Sequence, residues 1–202
     1  NAQPWWYIFD LLVNIIFKCD SKGFGKCKNL VYKDKDNKIF VNELCTQVIN
    51  LEELPSPSWE LFPMHKYSSE GKWHIISSRG CTHNCIFCST SAFNCNNRIV
   101  RSSVSKIIEE IEYIFELSCE ERTRTIGFSD DAFTFDKKRI VDLCTYIINR
   151  GLKFYWSCNT RVDLVSKDLL KLMYKAGCRA ILYGIESCNQ KVIDIVGKNY
   201  KL

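Results

Sequence analysis

From residue 73 onward the sequence alternates short apolar runs with amphipathic stretches of helical period, and few folds accept that alternation. The runs 73–78 (WHIISS), 125–129 (TIGFS), 154–158 (FYWSC) and 180–185 (AILYGI) each read as a buried strand. After them, 103–117, 137–149, 166–175 and 190–196 read as helices. The first carries Ile107, Ile108, Ile111, Ile114 and Phe115 on one face behind a serine start; Gly151 closes the second, and Ala176-Gly177 ends the third. Strands separated by helices cannot pair as hairpins, because each helix must cross over before the next strand begins. The pattern predicts an α/β fold, a partial (βα) TIM-like barrel of four visible βα units with helices outside a parallel sheet. In such sheets active sites collect at the C-terminal edge, in the loops that follow the strands.

Upstream the pattern differs. Residues 4–17 (PWWYIFDLLVNIIF) are the most apolar stretch, too short for a bilayer span and interrupted by Asp10 and Asn14. Those two lie four apart on one face, with Trp6, Phe9, Leu12, Val13 and Ile16 on the other, so a helix docked on a larger body is expected. The alternative is a membrane-surface helix, against which stands a polar face without Lys or Arg. Residues 30–43 read as a hairpin of two short strands around the polar turn DKDN. Residues 51–63 (LEELPSPSWELFP) carry Pro55, Pro57 and Pro63, and proline discourages helix before it, so an extended connector is expected. The expected organisation is a small α+β segment over 1–54, a connector over 55–72 and the βα array over 73–202.

Composition matters chiefly through cysteine. The chain has 202 residues, 46% apolar and 25% charged, enough for a packed core. Its net charge of +5 is dispersed and does not point to nucleic acid or an acidic membrane. Twelve cysteines stand out, below the roughly 8–10% of small disulfide scaffolds. No basic segment with a cleavage site suggests secretion. A reduced cytoplasmic protein is expected, with some thiols in the core and some on metal.

Three of them form the sharpest motif, Arg79-Gly80-Cys81-Thr82-His83-Asn84-Cys85-Ile86-Phe87-Cys88, a C-x3-C-x2-C set in the loop after the first strand. Thiolates this close bind metal, form disulfides or crowd one another, and an intracellular composition favours metal. Zinc wants four ligands, and His83 or Cys95 could supply the fourth. An iron–sulfur cubane normally takes four thiolates, one per iron, so three leave an iron open, which suits a catalyst better than an electron carrier.

The motif, with aromatic Phe87 before its last cysteine, resembles that of the radical S-adenosylmethionine (SAM) enzymes. The likeness extends to Gly127-Phe128-Ser129-Asp130-Asp131-Ala132-Phe133-Thr134, which is similar to the second strand's end in the cobalamin-associated branch of that superfamily. Trp156 through Asp163 resembles its third strand, and Ala176-Gly177-Cys178 with Tyr183-Gly184-Ile185-Glu186-Ser187 its helix end and fourth strand. The connector from Leu54-Pro55 to Lys66-Tyr67 also resembles the segment before that core, so the likeness covers roughly 30–200.

The resemblance implies a [4Fe-4S] cluster on Cys81, Cys85 and Cys88, with SAM chelated to the open iron. Reductive cleavage would then yield a 5′-deoxyadenosyl radical, with the protein supplying orientation, tuning and exclusion of oxygen. Cobalamin would be bound through residues not in this chain, because the branch's Asp-x-His-x-x-Gly loop does not occur here. Implied partners are a small-molecule substrate and an electron donor such as flavodoxin or ferredoxin, with no nucleic acid and no membrane span. Implied reactions include methylation and ring-forming or oxidative chemistry under anaerobic conditions. For SAM, the resemblance points to Phe87, Asp130, Asp131, Ser157, Arg161 and Glu186. Asp130-Asp131 stands where many relatives have Gly-Gly-Glu, and adjacent strand residues face opposite ways, so one of the pair is expected at the ligand. Their plain alternative is a role in the loop or at the helix start. Arg161 would hold the SAM carboxylate, or else pair with Asp163 at the surface. Glu186, at the end of a buried strand, needs a polar partner such as a ribose hydroxyl. Ser187 is a weaker candidate.

Cys144 and Cys178 read as core thiols; Cys158 and Cys188, near strand ends, could face the site. Cys19, Cys27 and Cys45 are too dispersed for a compact site, and Cys95 reads as a spectator. His65 and His74 show no acid–base pairing, and His83 reads as a neighbour of the cluster or an exposed side chain. The other readings are a non-catalytic iron–sulfur or zinc module and a truncated, inactive copy. With about 130 residues after the connector, against roughly 250 for a closed eight-unit barrel, and with Asn1 in place of Met, the chain reads as an internal piece of a longer protein.

Overall fold

The computed structural model describes residues 21–28, 30–43, 50–63, 66, 72–90, 98–118 and 125–202. The helix expected over 4–17, and Cys19, Cys45, His65 and Cys95, lie outside the described residues. The chain divides into two compact units, Asn1–Ile49 and Asn50–Leu202.

The first unit carries the expected hairpin. Strands β1 (Val31–Lys33) and β2 (Ile39–Val41) pair antiparallel, with Tyr32 opposite Phe40 and their rings stacked 5.3 Å apart. Asp34 Oδ1 accepts from the Asp36 and Lys38 backbone N–H groups at 2.9 Å each, holding the polar turn, while Asn37 takes the left-handed conformation that such turns require. Asn42 Nδ2 donates to the Phe24 and Cys27 carbonyls and ties a preceding 3-10 turn, Ser21–Lys26, to the hairpin.

The second unit is the βα array. Strands β3 (Lys72–Ile75), β6 (Thr125–Phe128), β7 (Tyr155–Thr160) and β8 (Cys178–Tyr183) form one parallel sheet in that order. Helices α1 (Val104–Leu117), α2 (Lys137–Asn149), α3 (Lys167–Lys175) and α4 (Gln190–Ile195) complete the four units. Each helix starts where the sequence offers a side-chain oxygen: Ser103, Asp136, Ser166 and Asn189 accept from the first turns of α1 to α4. Strand periodicity divides the sheet's two faces. Trp73, Ile75, Ile126, Phe128, Trp156 and Cys158 pack into the core with Ile107, Ile111 and Ile114 of α1 and Ile140, Leu143 and Ile147 of α2. His74, Gly127 and Ser157, aligned in register, belong to the opposite face.

Two features depart from expectation. Residues 50–63 belong to the second unit and lie along α1. Glu52 accepts from the Ser103 backbone N–H and hydroxyl, Tyr113 donates to Glu60, and Trp59 meets Trp73 edge-on at 5.6 Å. Two 3-10 turns, Leu51–Glu53 and Trp59–Leu61, interrupt this proline-bearing stretch, and its apolar and acidic residues find partners on α1 and β3. The second departure is a short antiparallel pair, β4 (Ser78–Arg79) with β5 (Val100–Arg101), which two-residue strands do not announce in sequence.

Gly177, at the end of α3, leaves no room for a side chain. Its φ is +100°, and a Cβ there would lie 2.3 Å from the Phe154 carbonyl oxygen. Gly177→Ala is expected to destabilise the fold by about 3 kcal/mol or more, combining left-handed strain with a backbone collision. Chemical denaturation measures this, and a loss under about 1 kcal/mol, the ordinary cost of a point substitution, would contradict it. Among the described residues, no helix is long and apolar enough to cross a membrane.

Candidate functional site

The cysteine loop opens at the C-terminal edge of the parallel sheet. After β3 the chain runs through Ser77 into β4, turns at Gly80 with φ +99°, passes the three cysteines and returns through β5. The β4–β5 ladder closes the loop at its base, where Ser78 pairs with Arg101 and Arg79 with Val100, and Ser102 N–H donates to the Ser77 carbonyl at 2.9 Å. Cys85 is buried, while Cys81 and Cys88 are half-buried. Burial pushes the Cys81 thiol up, opposed by a hydrogen bond from the His83 backbone. Burial also lowers His83, and its Nε2 is buried with no hydrogen-bond partner.

Two adjacent carboxylates anchor the loop from different sides. Asp130 is buried and accepts from Ser77 N at 2.8 Å, Ser77 Oγ at 2.7 Å and Ser78 Oγ at 2.5 Å. Arg139 of α2, 3.5 Å away, completes this network and also donates to the Ser77 carbonyl. Burial pulls the Arg139 guanidinium below its ordinary value, and the Asp130 charge opposes that. Asp131, exposed, accepts from Gly80 N at 2.8 Å and from Thr90 Oγ1 at 3.2 Å, so one carboxylate bridges the two flanks of the three-cysteine run.

The other side of the loop rests on β7 and on the segment after α4. Arg161 is 6% exposed. Its Nη1 donates to Cys85 Sγ at 3.7 Å, its Nε and Nη2 to Asp163 at 2.9 and 2.8 Å, and Nη2 also to the Lys198 carbonyl at 2.6 Å. Burial pulls this guanidinium down, but Asp163, Cys85 and Cys81 outweigh it and hold it above its ordinary value. Ile86 N–H donates to the Val196 carbonyl at 3.2 Å. A Cβ on Gly197 would stand 3.1 Å from Asn84 O, so glycine permits the close approach. Buried Lys198 donates to Gly184 O, pairs with Glu186 at 2.9 Å and lies 5.8 Å over the Phe87 ring.

The structure thus divides the residues expected at SAM. Asp131, Phe87 and Glu186 lie around the loop, Glu186 in a left-handed conformation with φ 68°. Ser157 sits on the sheet face opposite the helices, in register with Gly127 and Ala180. For Asp130 and Arg161 the structure shows the alternatives that the sequence left open: Asp130 is buried at the loop's base, and Arg161 pairs with Asp163, buried and not at the surface, and reaches a cysteine sulfur. Cys158 and Cys178 hydrogen-bond to each other inside the core, which raises Cys158, and burial pushes Cys144 up to about 12. Cys188 is exposed, and His74 Nδ1 meets Ser129 Oγ at 2.9 Å. Sequence reading missed Ser77, Ser78, Thr90, Arg139 and Lys198, which carry no motif, and saw Asp163 only as a surface partner of Arg161. Among the described residues, no three His, Cys, Asp or Glu side chains converge as for a single metal ion. A cavity of about 290 Å³ adjoins the loop's base, lined in part by Pro55, Trp59, His74, Arg79, Lys106 and Glu110; burial pushes Glu110 up to about 7, against the pull of Lys106.

The sequence profile of the Radical SAM superfamily matches residues 75–202. A methyltransferase of Pyrococcus horikoshii, itself described as uncharacterized, is 36% identical over 151 residues, covering 74% of this chain and 32% of that protein. The anaerobic magnesium-protoporphyrin IX monomethyl ester cyclase of Rubrivivax gelatinosus is 27% identical over 201 residues, covering 93% of this chain and 35% of that protein. The chain therefore spans about a third of the length of these curated relatives. Among solved structures, the apo form of OxsB, a cobalamin-dependent S-adenosylmethionine radical enzyme, aligns with a TM-score of 0.69 at 20% identity, across 95% of this chain and 29% of that one. At that identity the likeness is one of fold.

Proposed function

This chain belongs to the radical SAM superfamily, whose cofactors are a [4Fe-4S] cluster and SAM, and on that premise we propose that Cys81, Cys85 and Cys88 bind the cluster. The residues fit that group: three soft thiols share one loop, a buried guanidinium N–H points at one sulfur, and the His83 Nε2 in the same loop is buried without a partner. Held by these three thiolates, the cluster would supply the electron for reductive cleavage of SAM. Asp131 is proposed for the SAM ammonium, Glu186 for the ribose hydroxyls, and Ser157 and Phe87 for lining the same face. Lys198 holds Glu186 at the loop by the ion pair described above.

The observation that carries this reading is the three-thiol loop at the C-terminal edge of a four-stranded parallel sheet. The reaction proposed for the whole protein is methyl transfer or ring formation on a small molecule, with electrons from a flavodoxin or ferredoxin in a reducing cytoplasm. Cobalamin, where the whole protein uses it, would be held by residues outside this chain. Anaerobic reconstitution followed by EPR tests the proposal: a reduced four-iron signal is expected, and SAM should change it. A cluster spectrum indifferent to SAM would instead support a non-catalytic iron–sulfur module.

A further inference from the structure

We propose that Arg161 is a positioning residue for the cluster, holding the Cys85 sulfur through its buried guanidinium and raising the cluster's reduction potential, and that it is not a SAM contact. The inference rests on the three-cysteine reading above. Its geometry leaves the guanidinium little freedom. Asp163 takes Nε and Nη2 in a two-pronged pair, the Lys198 carbonyl takes Nη2 as well, and Nη1 is left on Cys85 Sγ. The Arg161 guanidinium also lies over the Tyr200 ring, 5.7 Å from its centre. A planar fork fixed at two edges delivers its third at a set angle, which a lysine ammonium cannot do.

The chemistry follows from where the N–H points. A hydrogen bond to a ligating sulfur draws electron density away from the iron and favours the reduced, more negative cluster. Burial strengthens the effect, since little water screens the N–H dipole. Because Asp163 offsets much of the positive charge, the directed hydrogen bond carries what remains. The same side chain latches the loop to the segment after α4, beside the Ile86–Val196 bond. Arg161 thus acts through Cys85 and touches no reacting atom itself.

An EPR-monitored redox titration without SAM, on the full chain reconstituted anaerobically, tests this in wild type, Arg161→Gln and Arg161→Lys. Both variants are expected to bind a full cluster with a more negative midpoint than wild type, lysine included because it keeps the charge and loses the fork. A wild-type midpoint in a fully loaded Arg161→Gln chain overturns the proposal. So does weaker SAM binding with an unmoved midpoint, the pattern of a SAM carboxylate contact. If circular dichroism shows that the glutamine variant does not fold, the lysine variant decides by the same criterion. A wild-type chain that takes up no cluster overturns the three-cysteine reading, and this inference with it.

Discussion

A Cys85→Ala chain, reconstituted anaerobically beside wild type, is expected to keep its far-UV circular dichroism and lose the EPR signal of a reduced four-iron cluster. With one thiolate per iron, removing one of three leaves two irons without a protein ligand. Cys85 is the buried member of the set and takes the Arg161 hydrogen bond, so no neighbouring water or side chain replaces it easily. Cluster content should fall by more than about tenfold, since losses among mere outer partners of a metal site already cost that much in affinity. The fold should survive. Alanine removes one sulfur atom, and Arg161 keeps Asp163 and the Lys198 carbonyl. A normal iron count and signal in this variant would remove Cys85 from the ligand set.

Asp130→Ala is expected to be the costliest single change at the site for stability, at about 3–5 kcal/mol, the usual loss when one member of a buried ion pair disappears. Its side chain is fully buried and that of Arg139 is only 8% exposed, so the remaining guanidinium would be charged without its acid. Ser77 N, Ser77 Oγ and Ser78 Oγ would lose their acceptor at the same time. Asp130→Asn should cost less, because an amide oxygen still accepts while the amide nitrogen repels the donors around it. Urea denaturation at neutral pH gives both values. A loss under about 1 kcal/mol for the alanine variant, within the range of ordinary substitutions, would show that the network is not what holds the base of the loop. Because Ser77 and Ser78 lead directly into the cysteine loop, cluster loading should fall with stability, whereas Cys85→Ala should separate the two.

These two residues illustrate different degrees of legibility. Cys85 stands in a motif whose spacing is itself the signal, and reading it needed only ten consecutive residues. Asp130 was visible as a carboxylate at a strand end, but its partners lie 52 and 53 residues back along the chain. Strand alternation led to the expectation that Asp130 and Asp131 diverge; they do, although β6 ends at Phe128 and both lie in the loop after it. Which of the two holds the loop's base was not predictable. Lys198 had no sequence signal at all; a lysine near a helix end is usually solvated, and only the packing of the segment after α4 against the loop buries this one.

The sequence by itself determined the βα order, because helix and strand periods and caps are local, and it placed three thiols in the loop after the first strand. It also carried the resemblance that the family match made firm. Tertiary structure alone decided which acids and bases meet. Arg161 reaches Cys85 across 76 positions and Lys198 across 37, and no local pattern encodes contacts of that separation. Both charges are buried once the sheet and the last segment close around them, and a buried charge must find a partner. That requirement pairs Arg161 with Asp163 and the Lys198 carbonyl and brings its remaining edge to the Cys85 sulfur.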